Sequence, residues 1–144
     1  MRRGVDHFGI SVSKLDRAVE FYRDLLHLEV VEEGNFGGVL YEQILGLPGA
    51  RGRVALLRGH NVQVELFEFA YPVPMLRSTD RPVCEHGITH FGIQVDDVQA
   101  DYARLKSAGM TFHSPPIEFP GIGRAVYGRD PDGNVIELLE LTQG

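Results

Sequence analysis

Eight residues near the N-terminus, Asp6-His7-Phe8-Gly9-Ile10-Ser11-Val12-Ser13, come back 83 positions later (90 − 7) as Thr89-His90-Phe91-Gly92-Ile93-Gln94-Val95-Asp96. His, Phe, Gly, Ile and Val repeat in register. A strand sends alternate residues to opposite faces, so each copy turns Phe, Ile and Val one way. His, Gly and a small or polar residue, Ser11 or Gln94, turn the other way. The glycine beside each histidine lets a second group approach the backbone closely. A lone histidine on a strand is ordinarily a hydrogen-bonded structural residue. Two at matching places of an internal repeat point instead to a shared site, and they oblige the chain to build one local structure twice.

The elements around each copy agree. After the first strand, Ser13-Lys14-Leu15-Asp16 has the form of a capping box, and Leu15, Val19, Tyr22 and Leu26 recur at helical spacing. That predicts a helix from about Leu15 to Leu26. Glu29–Glu32 reads as a short strand, and Glu33–Gly52 as a glycine-punctuated apolar loop that could cover a pocket. Arg53–Leu57 and Val62–Phe69 form a hairpin around Arg58-Gly59-His60-Asn61. A proline-bearing linker follows. The pattern then restarts: strand Ile88–Val95, an Asp96 cap, and a helix through Val98, Tyr102 and Leu105 that ends at Gly109. Met110–His113 reads as a strand, Ser114–Gly123 as a loop, and Arg124–Leu141 as a hairpin around Asp130-Pro131-Asp132-Gly133-Asn134. Each half is β-α-β-β-β. We expect one domain over residues 1–144, with module 1 at about 4–70, a linker at about 71–87 and module 2 at about 88–142.

The hairpins echo each other too. Val64-Glu65-Leu66-Phe67-Glu68 is matched by Ile136-Glu137-Leu138-Leu139-Glu140. Within each pair the two glutamates are an odd number of positions apart and face opposite sides. A carboxylate in the middle of an apolar strand is costly unless it is paired or bound to a cation. Glu68 and Glu140, at strand ends, can reach water; Glu65 and Glu137 reach it less easily. His7, Glu65, His90 and Glu137 therefore make a four-ligand constellation, one His and one Glu per repeat. Imidazole with carboxylate suits a divalent Zn, Ni, Co, Mn or Fe ion. Gln63, Phe67, Leu139 and Leu141 share the glutamate face. Ser11 and Gln94 line the histidine face, while His27, His60, His86 and His113 read as loop, turn or surface residues.

These residues resemble the vicinal-oxygen-chelate superfamily, which includes glyoxalase I, methylmalonyl-CoA epimerase, extradiol dioxygenases, and fosfomycin- and bleomycin-resistance proteins. The resemblance covers essentially the whole chain. It is carried by Asp6–Ile10, by Ala18-Val19-Glu20-Phe21-Tyr22, by His90–Ile93 with Val95-Asp96-Asp97, and by Asp130–Leu138. It implies an α+β fold in which two βαβββ modules curl a mixed sheet into a cup around one metal, with the helices outside. It also implies that the ligands are His7, Glu65, His90 and Glu137. Members with a full His/Glu/His/Glu set are isomerases, epimerases and lyases, which remove a proton α to a carbonyl and stabilise the enediolate on the metal. Glu65 and Glu137 are then the candidate bases, and which one acts stays open. An Fe(II) ring-cleaving dioxygenase and a non-enzymatic drug-sequestering protein are the alternatives. A dioxygenase needs the metal position that a fourth carboxylate would fill. Ile44-Leu45-Gly46-Leu47-Pro48-Gly49-Ala50 resembles the epimerase-like branch.

Composition narrows the partners. The formal charge of −6 argues against nucleic-acid and anionic-membrane surfaces. Cys84 is the single cysteine of the 144 residues, so no disulfide framework exists and a reducing, cytoplasmic setting is expected. No run approaches the roughly 20 apolar residues that span a bilayer. A small-molecule substrate is expected, and a homodimer, because a half-barrel leaves strand edges that need covering.

Overall fold

The computed structural model describes residue 1 and residues 3–142, and the chain divides into two compact units, Met1–Leu76 and Arg77–Gly144. In the first unit, β1 (His7–Ser11), β2 (Glu29–Phe36), β3 (Arg51–Arg58) and β4 (Gln63–Tyr71) form a sheet in the order β1-β4-β3-β2. β1 runs parallel to β4, and the other neighbours are antiparallel. In the second unit, β5 (Phe91–Gln94), β6 (Thr111–Phe112), β8 (Gly123–Arg129) and β9 (Val135–Leu141) take the matching order β5-β9-β8-β6. A short β7 (Ile117–Phe119) adds to β8. β5 is again parallel to β9. The sequence repeat is thus a repeat of topology, and the fold is α+β with two βαβββ modules.

One helix covers one face of each sheet. In the first unit, α1 (Leu15–Glu20) buries Leu15, Ala18 and Val19 and packs on β3 and β4, whose Ala55, Leu57, Val64 and Leu66 are also buried. In the second, α3 (Val98–Ser107) buries Val98, Tyr102 and Leu105 and packs on β8 and β9, where Val126, Ile136 and Leu138 are buried. Each leucine, valine or isoleucine among them contributes roughly 1.5–3 kcal/mol on removal from water. Along β4 the alternation is strict at the centre: Val64 and Leu66 are buried, while Gln63, Glu65 and Phe67 are half-buried on the other face. The glutamate face is therefore the face the helix leaves open.

The first helix lies where it was expected, and several finer expectations are corrected. α1 continues through Phe21–Leu25 as a π-helix and closes on His27, which takes a positive φ of 59° as Leu28 N–H reaches Tyr22 O at 3.0 Å. The Ser13–Asp16 capping box does not form. Lys14 is the N-cap without a side-chain bond, Ser13 accepts from Arg17, and Asp16 pairs with Arg53 at 2.7 Å. The first helical N–H, Leu15, instead donates to the Glu68 carboxylate. α3 repeats the device: Val98 N–H donates to Glu140 at 2.9 Å, and Asp97, one residue later than expected, caps by accepting from Ala100 N–H. Glu68 and Glu140 thus serve helix N-termini rather than simply reaching water. The Glu33–Gly52 loop contains the end of β2 and a further helix, α2 (Val39–Leu45), which buries none of its residues. His90 stands just before β5 and not within it.

Among the described residues no helix is long and apolar enough to cross a membrane. Replacing Glu140 by Ala removes the acceptor of the first α3 N–H, with an expected loss of about 1 kcal/mol. Glu140→Gln keeps an acceptor oxygen and is expected to lose less. Denaturant unfolding of the two variants beside the parent checks the order, and equal stabilities would refute the capping role.

Candidate metal centre

The parallel pairing of first and last strands assembles each half of the site. In the β1–β4 register Gly9 is the partner of Glu65, and in the β5–β9 register Gly92 is the partner of Glu137. The histidine two residues before each glycine shares its face. His7 Nε2 consequently lies 3.2 Å from Glu65 Oε2, and His90 Nε2 lies 3.2 Å from Glu137 Oε2. Each unit brings together one histidine and one glutamate of the four expected ligands.

In both halves the residue directly before the histidine holds its other nitrogen. His7 Nδ1 is 2.8 Å from Asp6 Oδ2, and His90 Nδ1 is 2.8 Å from Thr89 Oγ1. A proton on Nδ1 alone would leave Nε2, the nitrogen on the glutamate side, free for a metal. The hydrogen bond to Asp6 is the main reason that the His7 pKa rises from its ordinary 6.5, with Glu65 adding to it and partial burial opposing it. The polar residue before each histidine was visible in the repeat as Asp6 and Thr89; its function was not.

The donor set fits a divalent ion. Two donors about 2.0–2.1 Å from a shared ion and 3.2 Å apart subtend roughly 100° at it. A histidine nitrogen and a carboxylate oxygen are ordinary partners for such an ion. Among the described residues, no group of three or more histidine, cysteine or acidic side chains is set to hold one. Each unit brings one such pair together.

The halves differ in their neighbours. Tyr127 on β8 is the cross-strand partner of Glu137, its hydroxyl 3.2 Å from His90 Nε2 and its ring centroid 4.5 Å from the imidazole's. Burial, and secondarily Glu137, pushes its hydroxyl above the usual tyrosine range and keeps it protonated. Sequence reasoning missed this residue, although counting back through the Asp130–Asn134 turn places it opposite Glu137. The partner of Glu65 on β3 is Leu56. Side-chain exposure follows suit: 46% for His7 and 27% for Glu65, against 26% and 20% for His90 and Glu137.

The turn that leads into Glu137 is tied down. Asp130, 5% exposed, accepts from the N–H groups of Asp132 and Asn134 and from the Asn134 amide, each at 2.9 Å. Gly133 has φ 82°, and a Cβ there would meet Thr79 O at 2.3 Å. Arg81 donates to Asp132 O and Asn134 Oδ1. Of the remaining residues singled out, Ser11 and Gln94 are exposed on strands β1 and β5, and Gln63 is half-buried beside His7 in register. His113 accepts from Arg129 Nε at 3.0 Å.

The model of the glyoxalase/bleomycin resistance protein/dioxygenase superfamily matches residues 4–138. A 2-epi-5-epi-valiolone epimerase from an Actinomyces species is 31% identical, over 97% of this chain and 80% of that protein. A crystal structure of a glyoxalase family protein from Bacillus cereus superposes with a TM-score of 0.88 at 23% identity, over 96% of this chain and 94% of that one. TnmS3, an antibiotic-binding protein from a Streptomyces strain, superposes with a TM-score of 0.66 at 24% identity, over 98% of both chains.

In the metal-free protein the His7 ring is expected to titrate above 6.5, and Asp6→Asn is expected to lower that midpoint. A raised folded-state pKa means that the protonated ring stabilises the fold below 6.5 and that this contribution fades as pH rises through the folded midpoint. Metal uptake follows the opposite course, since the ion and the proton compete for the same nitrogen. Imidazole-resolved NMR titration measures both midpoints. A His7 midpoint that Asp6→Asn leaves in place would discount the contact.

Proposed function

The chain belongs to the glyoxalase/bleomycin resistance protein/dioxygenase superfamily, and from that membership we propose that it is a divalent-metal-dependent isomerase or epimerase of the glyoxalase type, acting on a small oxo-substrate. The observation that carries this reading is the doubled His–Glu pair, each with Nε2 and Oε2 3.2 Å apart on a helix-free sheet face. In this reading His7, Glu65, His90 and Glu137 share one ion, the two half-sets coming from one chain or from two copies in a homodimer. Exposed apolar residues on α2, namely Val39, Leu40 and Ile44 at 66%, 79% and 82%, support association. The ion, when bound, would supply Lewis-acid stabilisation of the negative charge that develops on vicinal substrate oxygens.

The chain's own groups do the rest. His7 and His90, their Nδ1 atoms held by Asp6 and Thr89, present Nε2 in fixed directions. A glutamate carboxylate removes the proton α to the carbonyl and returns it to the neighbouring carbon; in an epimerisation the other glutamate, as its conjugate acid, delivers a proton to the opposite face of the same carbon. Ser11, Gln63 and Gln94 offer hydrogen bonds to the remaining substrate oxygens. The relative named as an epimerase supports this class. A ring-cleaving dioxygenase is disfavoured by the second glutamate. A sequestering protein is the reading that the antibiotic-binding structural neighbour favours.

Metal analysis of the purified protein, with turnover and α-proton exchange in deuterated solvent on a panel of small α-hydroxyketones and 2-oxo compounds, tests the proposal. Glu65→Gln and Glu137→Gln are expected to behave unequally. One should retain metal yet lose about 10²–10⁴-fold in exchange, and the other should lose metal first. Both variants exchanging protons at the parent rate would eliminate proton abstraction by these carboxylates. Iron with oxygen consumption, or ligand binding without metal, would move the protein to one of the alternatives.

A further inference from the structure

We infer that Arg81 is a positioning residue for the second-unit pair: by fastening the segment Ser78–Arg81 to the Asp130–Asn134 turn, it sets where His90 meets Glu137. The use of that pair on a metal rests on the reading above. Its placement by Arg81 does not, and the two are tested apart.

The sheet alone does not place His90. The parallel ladder of β5 and β9 starts at Phe91 opposite Ile136, so the histidine lies one residue outside it. Residues 82–89, which lead up to it, are exposed and belong to neither helix nor strand. Within them Glu85 N–H reaches Pro82 O at 3.2 Å, and the Glu85 carboxylate pairs with Arg77 at 2.6 Å. Both contacts stay within the linker. On the other side, Glu137 follows three residues after Asn134 (137 − 134), the last residue of the turn.

Both approaches start from one knot. The Arg81 guanidinium donates to Asp132 O and Asn134 Oδ1, each at 2.9 Å, and to Ser78 O at 3.0 Å. The Arg81 carbonyl in turn accepts from Arg129 Nη2 at 2.8 Å, while Arg129 Nη1 donates to Gly133 O at 2.8 Å. Gly133, at φ 82°, lies so close to the linker that a side chain there would run into the Thr79 backbone. Arg129 stands two residues from Tyr127 on β8, and the Tyr127 hydroxyl is 3.2 Å from His90 Nε2. Two half-buried arginines therefore join linker, turn and β8, nine residues before His90 (90 − 81) and three before Glu137. A guanidinium presents its donors as a rigid planar fork, so it holds several acceptors at fixed angles, which the single ammonium of a lysine does not. Its charge also makes each of these bonds stronger than a neutral one.

Imidazole-resolved NMR of the metal-free parent, Arg81→Met and Arg81→Lys tests the assignment. Methionine removes the fork and keeps an unbranched stem; lysine keeps the charge and gives the same readout if the methionine variant does not fold. In both variants the His90 ring resonances are expected to shift and the His90–Tyr127 ring cross-peaks to weaken, more in Arg81→Met, while His7 keeps its parental resonances. Millimolar guanidinium chloride, far below denaturing concentration, is expected to restore the His90 signals of Arg81→Met, which a merely destabilised fold would not show. Cobalt(II) alone is expected to bind Arg81→Met roughly 10-fold more weakly than the parent, the low end of what lost outer-shell support costs a metal site. Parental His90 and Tyr127 signals in every folded variant would overturn the positioning role. Equal shifts at His7 and His90 would mark a general loosening of the fold and overturn it too. The expected NMR changes in a parent that takes up no cobalt would uphold the role of Arg81 and remove the metal reading alone.

Discussion

Parallel pairing of the first and last strands of each unit is the constraint on which the candidate site depends. Parallel neighbours cannot be joined by a tight turn; they need a crossover that carries the chain over one face of the sheet. Here the crossover is α1 or α3, and it covers one face with Leu15, Ala18 and Val19 or with Val98, Tyr102 and Leu105. The opposite face is thereby left for polar chemistry. The same pairing sets the register that puts Gly9 beside Glu65 and Gly92 beside Glu137, with a histidine two residues earlier on the same face. Residues 58 positions apart in one unit (65 − 7) and 47 in the other (137 − 90) meet at the same 3.2 Å.

The last strand of each unit works on both faces. Glu65 and Glu68, like Glu137 and Glu140, are three apart and therefore point to opposite sides of the sheet. The first meets a histidine; the second accepts the leading N–H of the crossover helix. A helix N-terminus leaves its first N–H groups without intrahelical partners, and a carboxylate there also complements the macrodipole. One short segment thus ties the helix that covers the core to the strand whose other glutamate meets the histidine. This coupling explains why both glutamates recur in the repeat when only one of each pair faces the candidate centre.

Much of this was legible in the sequence because it depended on period-2 alternation and on duplication. The strand pattern of His7–Ser11, the two modules and the recurrence of one histidine and one glutamate in each needed no more than counting. What escaped detection depended on long-range contacts or on balances too local to signal. Nothing near Leu15 announces that Glu68, 53 residues on, will cap it, so the adjacent Ser13 and Asp16 looked sufficient. α2 is seven residues between glycines, about two turns, so the spacing of Leu40, Tyr41, Ile44 and Leu45 is too brief to stand out as a helical period. The π-helical turn at Phe21–Leu25 depends on His27 adopting a left-handed conformation ordinarily left to glycine. Tyr127 was hidden because its meaning lies in the cross-strand register, and that is fixed by a turn whose length has to be known first.

Duplication also sets a physical limit on equivalence. Two halves with the same strands and the same His–Glu pair begin with carboxylates of equal chemistry, and what distinguishes them has to come from the surroundings. The second unit surrounds its pair with fixed groups: the Asp130–Asn134 turn held by Arg81, the Tyr127 phenol, and the close approach over Gly92. The first unit surrounds its pair with Leu56, an unobstructed Gly9 and the more exposed ring of His7. A group held by several hydrogen bonds loses little further freedom on binding an ion, so it favours retention. The doubled module therefore gives two like His–Glu pairs unequal surroundings without changing a residue of either pair.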